Sequence, residues 1–114
     1  MSLSAQQKMF AKDVSRLIQY VFDYGYSCTL GEAFRTPEQA SLDLLHAIGI
    51  KDSLHCLRLA IDLNVFNDKG EYLTDSKYYE PFGVYWEGLS VANRWGGHFN
   101  KQLIDGNHFE RRPE

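Results

Sequence analysis

Two imidazoles and a carboxylate carry the chemistry in this chain. His55 and Asp62 lie seven residues apart in Ser53-Leu54-His55-Cys56-Leu57-Arg58-Leu59-Ala60-Ile61-Asp62, and His108 closes Asp105-Gly106-Asn107-His108. A catalytic zinc takes three such ligands and keeps a fourth position open for water. Asp105 would then supply the base that an activated water needs. Spacing alone is a weak signal: a chain with four histidines offers several His/Asp pairs, and satisfied or exposed histidines are the ordinary explanation. Asp62 strengthens the metal reading, because a carboxylate between Ile61 and Leu63 is costly to bury unless it is paired or bound to a cation.

The elements that must hold these groups follow from periodicity. From about Ser4 to Tyr24 apolar residues recur at helical spacing, with Phe10, Val14, Leu17 and Phe22 read as the core stripe and Gly25 as the stop. Tyr26 to Arg35 reads as a strand that delivers Glu32 and Arg35 to one end of a site, Glu32 otherwise serving to pair a nearby cation. Thr36-Pro37-Glu38-Gln39 is a helix start, with Thr36 as cap and Gln39 closing a capping box. That helix runs through Leu42, Leu44, Leu45, His46 and Ile48 to Gly49.

Leu59 to Phe66 alternates, so Asp62 and Asn64 project from the polar face of a strand whose other face is core. Asn67-Asp68-Lys69-Gly70 predicts a hairpin turn. Tyr78 to Leu89 predicts a short helix after Pro81, with Tyr78, Tyr79, Tyr85 and Trp86 as core and boundary residues and the lining of a peptide groove as the alternative for one or two of them. Trp95-Gly96-Gly97-His98-Phe99 predicts a loop entering a strand, Asn107 to Glu110 a last strand with Phe109 inward, and Arg111 to Glu114 a frayed tail. Asp105 and His108 are three apart, so Gly106-Asn107 must turn the backbone for both to reach one metal.

Length and composition set outer bounds. A chain of 114 residues, 44% apolar and 14% aromatic, is expected to form a single globular domain over residues 1–114. No stretch approaches the roughly 20 apolar residues of a membrane span, and the N-terminus lacks a signal-peptide layout, which predicts cytoplasmic synthesis. A net charge of −3 argues against a broad grip on nucleic acid. Cys28 and Cys56, without CxxC spacing, read as reduced thiols.

Four ordered segments together resemble the zinc D-alanyl-D-alanine carboxypeptidases and the L-alanyl-D-glutamate endopeptidases of phage endolysins, in the lysostaphin/D-Ala-D-Ala/hedgehog superfamily. They are Glu32-Ala33-Phe34-Arg35-Thr36-Pro37-Glu38-Gln39, Ser53-x-His55-x6-Asp62, Trp95-Gly96-Gly97 and Asp105-x-x-His108. The resemblance implies that His55, Asp62 and His108 bind Zn2+ and that Asp105 is the catalytic acid/base. It implies that Arg35 stabilises charge on the substrate carbonyl, that Ser53 touches substrate, and that Gln39 gives a weaker supporting contact. Arg58 departs from a glycine common in the family, and His98 from an acid. Arg58 is expected to point to solvent, His98 to be an exposed loop residue, and His46 a surface residue.

The expected fold is α+β: a small antiparallel sheet with helices packed on one side and a zinc cleft on the open face. The expected activity is hydrolysis of peptidoglycan stem-peptide amides by a monomer without membrane insertion. The favoured version is an L-alanyl-D-glutamate endopeptidase, an endolysin released through a holin pore. A D-alanyl-D-alanine carboxypeptidase and a non-catalytic zinc-binding module are the alternatives.

Overall fold

The computed structural model describes residues 1–39, 42, 53–100 and 104–114. Helix α1 spans Leu3–Asp23, capped by the Ser2 hydroxyl, which accepts from the Ala5 amide at 3.1 Å. It ends before Gly25, whose φ of 91° only glycine adopts freely. Four strands follow in the chain: β1 (Ser27–Leu30), β2 (Ala60–Phe66), β3 (Asn93–Trp95) and β4 (His108–Arg111). They form an antiparallel sheet in the order β1-β2-β4-β3. Helix α2 spans Glu80–Leu89, with Pro81 in its first turn, where a missing amide proton costs nothing.

Alternation in β2 decides the layering. Ile61, Leu63 and Val65 are buried, while Asp62, Asn64 and Phe66 are only partly covered. Phe109 of β4 lies opposite Ile61 and meets Trp86 of α2, which in turn meets Phe10 of α1 edge to face. Helices α1 and α2 therefore cover the Ile61/Phe109 face, and the Asp62/His108 face is turned away from them, as the sequence predicts.

Four expectations are corrected. Phe22 is half exposed, and Val21 takes its place beside Phe10 and Leu17, because the stripe follows 10, 17 and 21 around the helix. The strand expected to reach Arg35 stops at Leu30, although two backbone bonds carry the pairing on: Gly31 N to Asp62 O at 2.8 Å and Asp62 N to Glu32 O at 2.9 Å. Around Trp95 the strand precedes the glycines, and Gly96–His98 forms a 3-10 turn. The tail is tied down: Arg111 is fully buried and its guanidinium reaches Ser90 and Glu114, while the Glu114 amide donates to Gln6 of α1.

The Asn67 turn forms as expected, its side-chain oxygen accepting from the Lys69 and Glu71 amides, and Phe66 bridges Tyr72 across it. Thr36 caps the following turn, accepting from the Gln39 amide at 3.0 Å. The body of that helix, with His46, lies outside the described residues. Cys28 and Cys56 are free and partly buried. Among the described residues, no helix is long and apolar enough to cross a membrane.

One contact fixes how α2 sits on the sheet. A Cβ at Gly83 would fall 2.0 Å from the Trp95 ring, which is buried and cannot yield, whereas a Cβ at Gly88 meets nothing within 4 Å. Both glycines lie in α2, so alanine would gain about 1 kcal/mol of helix propensity at each. At Gly83 overpacking outweighs that gain. Gly83→Ala is expected to destabilise by about 2 kcal/mol and Gly88→Ala to stabilise by about 0.5–1 kcal/mol in urea titrations. Equal effects at the two sites would refute the packing argument.

Candidate metal centre

His55 enters the site from a 3-10 turn, Leu54–Leu57, that the Ser53 hydroxyl caps by accepting from the His55 amide at 3.2 Å. Ser53 thus has an observed structural task beside the first imidazole. The turn ends at Arg58 in the left-handed region (φ 55°, ψ 38°). This is the position where the family favours glycine, and the backbone angle gives the reason. The Arg58 side chain is exposed and stacks over the Phe34 ring at 4.0 Å, outside the metal cluster, in keeping with the solvent-facing expectation.

Asp62 and His108 face each other directly across the β2–β4 pair. His108 Nδ1 lies 3.3 Å from Asp62 Oδ1, and His55 Nε2 lies 3.5 Å from the same oxygen. One donor atom from each residue falls within 4.8 Å of the others. Tetrahedral bonds of about 2.0–2.2 Å place neighbouring ligand atoms roughly 3.3–3.6 Å apart. The cluster therefore fits a small divalent ion in both spacing and chemistry, two imidazoles and one carboxylate.

A carboxylate stands behind each histidine. Glu110 Oε1 is 2.8 Å from His108 Nε2, and Glu32 Oε1 is 3.5 Å from His55 Nδ1. Glu110 hydrogen-bonds His108 Nε2 and so leaves Nδ1 to face Asp62, whereas Glu32 lies near His55 Nδ1 without a hydrogen bond, and His55 turns Nε2 to Asp62. Glu32 also pairs with Arg35 at 2.5 Å, which brings the guanidinium to the edge of the cluster through Glu32. Sequence reasoning missed Glu110, although period-two alternation from His108 places it on the same face of β4. It read Glu32 only in part, as a partner for a cation.

Asp105 precedes a turn closed by the His108 amide donating to the Asp105 carbonyl at 3.1 Å. Gly106 does not supply a left-handed conformation there; a Cβ would strike Ser76, 2.6 Å from its Cα. Trp95 steadies the turn by donating its indole proton to the Gly106 carbonyl at 2.7 Å. Gly96 lies so close that a Cβ would meet the Asp105 carbonyl oxygen at 1.9 Å. His98 is exposed and pairs with Glu87 at 2.7 Å, away from the cluster, as expected of a loop histidine. Gln39 has an exposed side chain on its helical turn.

Electrostatics agree with a cation site. Burial opposes charge on His108, yet the hydrogen bonds and charges of Asp62 and Glu110 overcome it and raise its pKa to about 9. Burial likewise opposes the Asp62 carboxylate, and the two imidazoles reverse this, bringing it down to about 2. The Asp105 carboxyl is raised, by desolvation first; Asp62 adds to the rise, and His108 and His55 oppose it. In the metal-free protein His108 is thus an imidazolium donating from both nitrogens.

Three expectations follow. Uptake of a divalent ion at pH 7 must displace the Nδ1 proton, so titration calorimetry in buffers of different ionisation enthalpy should show about one proton released per ion. The metal-free protein should also lose stability as pH rises through about 9, since a raised folded-state pKa stabilises fully only below the unfolded value near 6.5. Glu110→Ala is expected to weaken metal binding about 10–100-fold in chelator competition, with Glu110→Gln recovering much of the loss because its oxygen still accepts.

Comparison with known proteins agrees with this geometry. Residues 48–111, more than half of the chain, match the family model for D-alanyl-D-alanine carboxypeptidase, an M15-type peptidase family. Solved structures that match include the Serratia marcescens L-Ala D-Glu endopeptidase ChiX, at 21% identity over 88% of this chain and 78% of that chain, with a TM-score of 0.69. That likeness shows a shared fold. No curated protein matches the chain. The matched span carries His55, Asp62 and His108, which converge, and Asp105 on the turn before β4, and the chain belongs to the M15 peptidase family.

Proposed function

We propose that this protein is a zinc-dependent peptidase that hydrolyses stem-peptide amides of bacterial peptidoglycan, in the first instance the bond between L-alanine and D-glutamate, as phage endolysins do. The observation that carries the reading is the convergence of His55 Nε2, Asp62 Oδ1 and His108 Nδ1 with Asp105 on the adjoining turn. Family membership and the likeness to an L-Ala D-Glu endopeptidase support it.

His55, Asp62 and His108 would hold the zinc, which when bound polarises the scissile carbonyl and lowers the pKa of water to about 7. Asp105 takes the proton of the attacking water and returns it to the leaving amine, a role suited to a carboxyl whose pKa is raised. Arg35, held by Glu32, offers its guanidinium to the developing oxyanion, an interaction worth on the order of 10²–10³ in rate. Glu110 keeps the His108 imidazole oriented, and Glu32 holds Arg35 beside the cluster. Ser53 and Gln39 are assigned to substrate contact.

The family model's own description favours a second reading, removal of terminal D-alanine by a carboxypeptidase. The products separate the two. Digestion of purified peptidoglycan, read by mass spectrometry with and without a chelator and zinc add-back, is expected to give new amino-terminal D-glutamate. Free D-alanine would move the assignment to the carboxypeptidase, and no release under any metal would leave a zinc-binding module.

Asp105→Ala is expected to keep zinc affinity within a few-fold and to lower kcat by about 10²–10⁴. His108→Ala should lose the metal itself. Retained turnover in Asp105→Ala would sink the proposed mechanism.

A further inference from the structure

Next to Asp105 lies a cavity of about 250 Å³ with Thr74, Ser76 and Asn107 among its polar walls. Its Tyr72-Leu73-Thr74 wall is shared with a larger groove of about 510 Å³ whose other side carries Tyr24, Tyr26 and Tyr78. Small-molecule sites commonly span roughly 300–1,000 Å³. Tyr24, Tyr72 and Tyr78 are 45%, 48% and 54% exposed, so core packing does not account for them. Tyr24 stacks on Tyr26 at 4.9 Å, and both line the groove, so one wall of it is aromatic.

Lys77 lies 3.9 Å from Asp75 and over the Tyr78 ring, and Glu71 accepts from Asn67 at 3.1 Å. Among the described lining residues Lys77 is matched by Glu71, so the groove carries no net positive charge to draw an anionic stem peptide. Aromatic faces flanked by hydroxyls and amides instead suit a neutral sugar, whose apolar ring face stacks while its rim hydrogen-bonds.

We propose that this groove binds the glycan strand of the substrate, as an N-acetyl amino-sugar subsite continuous with the catalytic cleft. The inference rests on the peptidoglycan reading above and sharpens it. Stem peptides join the glycan through L-alanine, so the L-alanyl-D-glutamate bond lies close to the sugar. The terminal D-alanyl-D-alanine bond lies three residues further out, roughly 10 Å along an extended chain. A sugar site that shares a wall with the cavity at Asp105 selects the nearer bond.

The test uses the full chain and an N-acetylglucosamine tetramer, followed by backbone amide shifts. Saturable shifts over residues 71–78 are expected, and Tyr78→Ala and Tyr24→Ala should each weaken them on the order of tenfold. The proposal is overturned if the tetramer gives no saturable shift, if a free stem peptide moves these amides in its place, or if neither variant weakens binding. Cleavage of peptidoglycan is scored separately. Cleavage without tetramer binding overturns the sugar site alone, whereas tetramer binding without cleavage upholds the sugar site and overturns the peptidase reading.

Discussion

The pairing of Asp62 with His108 across β2 and β4 is the constraint on which the rest of the site depends. Asp62 spends its backbone N–H on Glu32 and its carbonyl on Gly31, so it faces His108 as a non-hydrogen-bonded pair. In such pairs the side chains approach most closely, which suits two ligands of one ion. A slip of one residue would turn Asp62 into the core and Ile61 into the site. Ile61, Leu63 and Val65 prevent this: all three are buried, and each contributes about 1.5–3 kcal/mol only when it faces the helices. The apolar face of β2 therefore fixes the chemistry of its polar face.

Trp95 imposes the second constraint, on the Asp105 turn. Its ring is clasped between Gly83 of α2 and Gly97, where a Cβ would come within 2.0 and 2.1 Å. Its indole nitrogen holds the Gly106 carbonyl, and the neighbouring Gly96 lets the Asp105 backbone lie against it. Helix α2 thus reaches the Asp105 turn through one rigid aromatic group. A loss of packing at Gly83 would be felt at Asp105, and under the proposed role of that carboxyl a small misplacement would be costly to rate.

What the sequence made legible and what it hid divide along local and non-local causes. The alternation of Leu59 to Phe66 and the helix through Leu17 are local patterns, and the structure reproduces them; His55, Asp62 and His108 were joined through a family resemblance, and the structure brings the three side chains together. The cleft on the face away from the helices follows from that alternation. The glycines of Trp95-Gly96-Gly97 could be read as a motif, but their reason, contact with a tryptophan ring and a distant carbonyl, arises only on folding. Gly106 is the same case: its closeness to Ser76 spans 30 residues of sequence. The tail was misread because its partners, Gln6 and Val91, are remote. Phe22 was misread because a broad apolar stripe leaves the helix rotation undetermined until the sheet is present.

Charge at the site gives the fold a stake in the metal. Glu32, Asp62, Asp105 and Glu110 gather around two imidazoles, and Arg35 is the cation paired among them. Four carboxylates against one guanidinium leave an excess of about three negative charges in a partly buried space. Without an ion, His108 offsets part of that excess by holding a proton well above the usual histidine range. A divalent ion held there would take the place of that proton and bring one further positive charge to the point where three donors converge. Binding would then stabilise the folded state through the same groups that bind, growing with the logarithm of free-ion concentration over the dissociation constant. The sheet register, the Glu110 carboxylate behind His108 and the raised His108 pKa are consistent with one design: a site whose negative excess is smallest when a divalent cation occupies it.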